Sequence, residues 1–199
     1  MSATAPEAGP METYREECAR FFEQIYRGED RVLVFGEGKI GARLMLIGEA
    51  PGAQETLAGR PFVGKAGKNL DRFLAEVRLE RAQLYISNAV KIRPTRERNG
   101  RISNRPPTRR EIALFQPWLA REIALVGPER IATLGNVALG AVTGRPLSVG
   151  QVHGRWLEEG LPPVFPLYHP ASIIYNPPLA ERYAEDVRAL GRDLIRFGG

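Results

Sequence analysis

The sequence predicts an α/β protein: a three-layer α/β/α sandwich around a central, mostly parallel, four-stranded sheet. Three observations predict it. Four short apolar runs recur, at residues 44–47, 84–87, 131–134 and 164–167. Segments with helical periodicity lie between them. Each run gives way at once to polar or turn residues. Runs without polar alternation suit strands covered on both faces, and strands alternating with helices suit parallel crossovers.

The elements follow in order. Residues 1–10 read as a disordered tail, and residues 11–199 as a single domain. Within 12–27, apolar Tyr14, Cys18, Phe21, Phe22 and Ile25 recur at helical spacing. The run 32–35 predicts a strand or edge hairpin before the core, and 151–157 another before the fourth strand. Helices are predicted at 68–77, 109–126, 136–142 and 179–197. The segment 91–110 is rich in Arg, Asn and Pro and poor in apolar residues, so a solvated loop is expected.

Charge is concentrated in that loop. The chain of 199 residues carries a net +5, but segment 91–110 alone holds eight basic residues against Glu97. The remainder has 20 basic and 22 acidic residues. Clustered guanidinium groups suit phosphate backbones, which they pair in bidentate fashion. The single cysteine, Cys18, excludes an intrachain disulfide and any site built on several thiolates. No apolar run is long enough to span a bilayer, and the first residues lack the pattern of a secretory signal. A cytoplasmic monomer without membrane contact is expected.

In parallel sheets ligands bind beyond the carboxyl ends of the strands. After the first strand comes Gly48-Glu49-Ala50-Pro51-Gly52, the second ends at Asn88, the third meets Gly135-Asn136, and the fourth meets Tyr168-His169-Pro170. A glycine turn, an amide and one of two histidines therefore share one edge. The stretch from Gly59 to Ala66 approaches a phosphate-binding loop, but Ala66 lacks the hydroxyl that holds Mg²⁺, and the preceding strand ends a dozen residues too early.

These motifs resemble the uracil-DNA glycosylase superfamily, and its family four in particular. The likeness runs from about residue 32 to 195 and rests on Gly48–Gly52 with Glu55 and residues 59–67, on the strand from Tyr85 to Lys91, and on Tyr168-His169-Pro170-Ala171-Ser172. It implies a DNA-repair hydrolase that flips uracil out of DNA, cleaves its N-glycosidic bond and leaves an abasic site. Asn88 would read uracil, since an oriented amide matches N3–H and O4 and mismatches cytosine. Phe62 would stack on the flipped base, and His169 would hydrogen-bond uracil O2 as charge develops there. Backbone N–H groups of Glu49 and Ala50 would add donors, and Gly52 would leave room. Families that use an Asp for the water carry it where this chain has Ala50, so Glu49, ahead of Glu55, is assigned to orient the water.

For DNA contact the resemblance and the charge together nominate Lys91, Arg93, Arg96, Arg98, Arg101, Asn104 and Arg105 from the basic segment. Ser172, Ile173 and Ile174 would enter the minor groove. Where the family has Leu then Arg, this chain has Ile and Tyr175. Family four also implies a [4Fe–4S] cluster on four cysteines. The matching positions here are Ile92, Phe115 and residues near Phe21 and Gln24. Cluster ligation needs thiolates, so no cofactor or metal is expected, and apolar packing should replace it. Segment 91–110 has no histidine for covalent trapping, so turnover is expected, and His153 is assigned a structural role. Two alternatives fit the same residues: a glycosylase for hypoxanthine or xanthine, and a non-catalytic module that binds uracil or single-stranded DNA.

Overall fold

A computed structural model describes residues 9–29, 31–159, 162–176 and 178–196. Strand β1 is Glu37–Gly38, β2 Leu44–Gly48, β3 Tyr85–Asn88, β4 Thr95–Arg98, β5 Arg101–Asn104, β6 Arg130–Leu134 and β7 Val164–Leu167. The α-helices are α1 Pro10–Ile25, α2 Ala53–Ala58, α3 Lys65–Glu76, α4 Arg109–Val126, α5 Asn136–Thr143, α6 Val149–Val152, α7 Ser172–Tyr175 and α8 Leu179–Arg196.

The main sheet has the order β1-β3-β2-β6-β7. β3, β2, β6 and β7 are parallel and are the four expected strands. Every residue of β2, β3 and β7 is buried, as the unbroken apolar runs require. Period two divides them between layers. Leu44 and Leu46 join a core with Leu70, Phe73 and Leu74 of α3 and Tyr183, Val187 and Leu190 of α8. Met45 and Ile47 face the other way, toward Leu119 and Val126 of α4 and Leu139 of α5. The helix α1 lies outside α4, where Cys18, Phe22, Val90, Ile92 and Phe115 form a third cluster.

The structure corrects several boundaries. The sheet has a fifth strand, β1, antiparallel to β3 at its edge. It replaces the expected strand at 32–35, where Val34 N–H instead donates to Lys91 O at 2.8 Å. Residues 149–152 are a short helix, and of the expected 151–157 strand only Leu157 bridges β7 at Val164. The helix α1 starts at Pro10, inside the expected tail; residues 1–8 and Phe197 lie outside the described residues. Segment 91–110 is not a plain loop. It contains the antiparallel ribbon β4–β5, turned at Asn99 and Gly100, whose φ values of 53° and 69° are both positive. Two left-handed residues in a two-residue turn match the right-handed twist of flanking strands, which is why Asn-Gly is favoured there.

Candidate active site

The carboxyl ends of β2, β3 and β7 bring the predicted residues together. Gly48 pairs with Asn88 in register, and pairing continues past the strand ends through Ala89 N–H to Gly48 O at 2.8 Å and Val90 N–H to Glu49 O at 3.0 Å. Gly48 is required by close approach. A Cβ there would lie 2.3 Å from Phe62 Cζ and 2.6 Å from Asn88 Oδ1. Phe62 is held with φ at 55°, a left-handed conformation costly for an aromatic residue. Arg81 fixes it from behind by donating to the carbonyls of Phe62 and Pro61 at 2.9 Å each.

The loop after β2 is closed by Glu55. Its Oε1 accepts from Val63 N–H at 3.0 Å and Gly64 N–H at 2.7 Å, and its Oε2 from Gly52 N–H at 3.1 Å. Both oxygens thus accept from the backbone, so Glu55 braces the loop, and it also lines the cavity described below. Gly52 likewise leaves its space to protein. A Cβ there would meet Glu55 Oε2 at 2.7 Å and Asn104 Nδ2 at 3.3 Å.

His169 follows β7. The Ala171 N–H donates to its Nδ1 at 3.1 Å, which makes Nδ1 the acceptor and puts the ring proton on Nε2. Burial lowers its pKa to about 4, against a weak opposing pull from Glu55. The neutral imidazole therefore carries an N–H donor at pH 7. Its ring centroid is 6.1 Å from that of Phe62. Asn88, Phe62 and His169 border one cavity of about 360 Å³, with Ala50 and Gly52 on its wall. Gln54, Lys65, Ala66, Asn104 and Ala171 also line it, and were missed as pocket residues. Asn104 comes from the basic ribbon, and Arg93 Nε–H donates to its Oδ1 at 2.7 Å, which leaves its amide N–H groups free to face the cavity. Glu49 is not among the lining residues. Its carboxylate has no hydrogen bond or ion pair among the described residues, and burial raises its pKa. A wider depression of about 790 Å³ beside α1, lined by Arg20, Arg27, Glu29 and Arg31, receives none of the strand-end residues.

The sequence model described as Uracil DNA glycosylase superfamily matches residues 35–191. The chain belongs to the uracil-DNA glycosylase superfamily. It is 40% identical over 162 residues to the Type-4 uracil-DNA glycosylase of Saccharolobus solfataricus, covering 77% of this chain and 72% of that protein. It is 36% identical over 171 residues to the Type-4 uracil-DNA glycosylase of Pyrobaculum aerophilum, covering 81% and 84%. Identity falls to 29% over 161 residues with a Type-5 uracil-DNA glycosylase of the same organism, covering 70% and 66%.

In this superfamily member the predicted DNA contacts separate into exposed and buried sets. Lys91 does not reach solvent: its side chain is 0% exposed and its Nζ lies 2.5 Å from Glu122 Oε2. It is a core residue, because a lone cation in that position needs a buried partner. Arg105 is committed to Glu111 by two bonds of 2.7 and 2.8 Å, and this pairing lowers the Glu111 pKa to about 2. Register places Arg96, Arg98, Arg101 and Ser103 on one face of the β4–β5 ribbon and Asn104 on the other. All three arginines of that face are exposed. Ile173 is 8% exposed and packs in the core with α8, so it is no free wedge; its neighbour Ile174 is 41% exposed, and Ser172 is half-buried. The Tyr175 side chain lies outside the described residues.

The residues at the cluster positions do not fit iron and sulfur. Ile92 and Phe115 are 0% exposed, and the Phe115 ring stacks on Phe22 at 3.9 Å between centroids and 6° between planes. Phe21 lies at the margin and Gln24 is exposed. Cys18 is buried beside them, its pKa raised to about 12 chiefly by burial. Among the described residues no group of three or more His, Cys, Asp or Glu is placed to hold a metal.

Proposed function

We propose that this protein is a monofunctional DNA-repair hydrolase. It removes uracil flipped out of DNA and leaves an abasic site. The carrying observation is that a carboxamide, an aromatic ring and a neutral imidazole donor border one cavity. The flipped base stacks on Phe62 while Asn88 matches N3–H and O4. The bond from C1′ to N1 breaks with its electrons going to uracil. The His169 Nε2–H hydrogen-bonds O2 of that anion, a stabilisation that grows as charge develops. Water then gives its hydroxyl to C1′ and its proton to the departing base. Glu49, the neighbour of cavity-lining Ala50 and without a side-chain partner among the described residues, is our choice for orienting that water and relaying its proton to the base. Arg96, Arg98 and Arg101 hold phosphates, and Ile174 supports the emptied stack. We read the enzyme as a cytoplasmic monomer.

The test uses oligonucleotides with one U, hypoxanthine, xanthine or T opposite G, treated with alkali after incubation. Cleavage at U that is lost in Asn88→Ala and His169→Ala is expected. Cleavage confined to hypoxanthine or xanthine, or binding without abasic sites, overturns the assignment.

A further inference from the structure

The strand that delivers Asn88 is fastened from inside the protein. Lys91 Nζ donates to Asn88 O at 2.7 Å and to Ser87 Oγ at 2.7 Å, and pairs with Glu122 Oε2 at 2.5 Å. The Ser87 hydroxyl donates to the same Glu122 oxygen at 2.9 Å. The other oxygen, Oε1, accepts from Tyr85 O–H at 3.2 Å and Gly36 N–H at 3.3 Å. Both charged side chains are 0% exposed. One carboxylate of α4 thus gathers Tyr85, Ser87 and Lys91, and the ammonium it holds grips the main-chain carbonyl of Asn88.

Stability alone does not account for this pair. Removing two opposite charges from water is so costly that apolar replacements of equal volume are often neutral or stabilising. What is particular is the location. No other Lys or Arg is buried among the described residues, and this one sits three residues past Asn88, just beyond the end of β3. An amide that must distinguish a donor–acceptor edge from its reverse needs its plane fixed, and supporting groups supply that.

We propose that Lys91 and Glu122 are positioning residues for base recognition: the ion pair locks the Asn88 main chain so that its carboxamide meets the pyrimidine edge. This rests on the reading of Asn88 as the uracil-recognising group. Lys91 acts only through Asn88 and touches no substrate.

The experiment is a double-mutant cycle on single-turnover uracil release from a U·G duplex. The variant Lys91→Met with Glu122→Gln removes both charges and the donors to Asn88, while Gln keeps acceptors for Gly36 and Tyr85. We expect its rate to fall at least tenfold at saturating DNA, with duplex affinity unchanged. In an Asn88→Ala background the same pair of substitutions should change the rate less than twofold, because the group it positions is gone. The milder Lys91→Gln with Glu122→Gln keeps an amide donor near Asn88 O and should recover most of the loss; Lys91→Leu with Glu122→Gln, which also lacks that donor, carries the cycle should the first variant not fold. Equal losses in both backgrounds, or no loss in the folded variant that lacks a donor at position 91, overturn the inference. An inactive wild type, or an Asn88→Ala protein of normal rate, would instead refute the functional reading beneath it.

Discussion

Replacing Glu55 by Ala should loosen the pocket rather than remove a reacting group. Three backbone N–H groups, those of Gly52, Val63 and Gly64, would lose their acceptor. All three residues are half-buried, so water can satisfy part of the deficit. Taking about 1 kcal/mol per donor, the lower end for orphaned groups, the variant should lose about 3 kcal/mol. Glu55→Gln keeps one acceptor oxygen but sets an N–H against an N–H, costing about 1–2 kcal/mol. Loop 52–64 carries Phe62, and misplacement by about 1 Å costs on the order of a hundredfold in rate. Both variants also remove a charge that favours the protonated form of His169, so its pKa should fall further. Urea unfolding followed by tryptophan fluorescence gives the stabilities, and single-turnover uracil release gives the rates. If Glu55→Ala kept wild-type stability and rate, the strut would be refuted. If Glu55→Gln kept its stability while the rate collapsed, the carboxylate would be acting on the water.

Other expectations follow from the same geometry. The pKa of His169 is about 4 when folded and 6.5 when free, so the unfolded chain takes up a proton first. Stability from this residue should fall as pH drops below about 6.5 and level off below about 4, by at most about 3 kcal/mol; a stability–pH curve unchanged by His169→Ala in that window would contradict it. Arg98→Ala and Arg101→Ala should each reduce the salt slope of duplex binding by about 1, and slopes equal to wild type would remove the ribbon from the DNA surface. Phe115→Ala empties a fully buried ring position and should cost about 3–5 kcal/mol in chemical unfolding. A loss under 1 kcal/mol would mean that the Phe22–Phe115 stack does not hold this region.

The parallel sheet was legible because its strands are buried on both faces and so carry unbroken apolar runs. The edge strand Glu37–Gly38 has two residues and no pattern to detect. The β4–β5 ribbon was hidden by composition: nearly all its side chains are polar, so no alternation betrays it, and only Asn99-Gly100 marks the turn. Lys91 was misassigned because it adjoins the arginine-rich segment. The clue lay 31 residues on, where Glu122 falls on the buried stripe of α4 with Phe115, Leu119 and Val126. A carboxylate on an apolar stripe asks for a hidden cation. Asn88 and His169 could be brought to one edge because each follows a predicted parallel strand, whereas Phe62 joined them only through motif resemblance, since it lies in a loop away from any strand end.

At the corner where the family-four resemblance implies a cluster, two stacked rings and an isoleucine pack together in this protein. The contacts that hold this corner are side-chain packing, which needs no metal to form. The lone thiol, shielded and held protonated, gives oxidants little to attack.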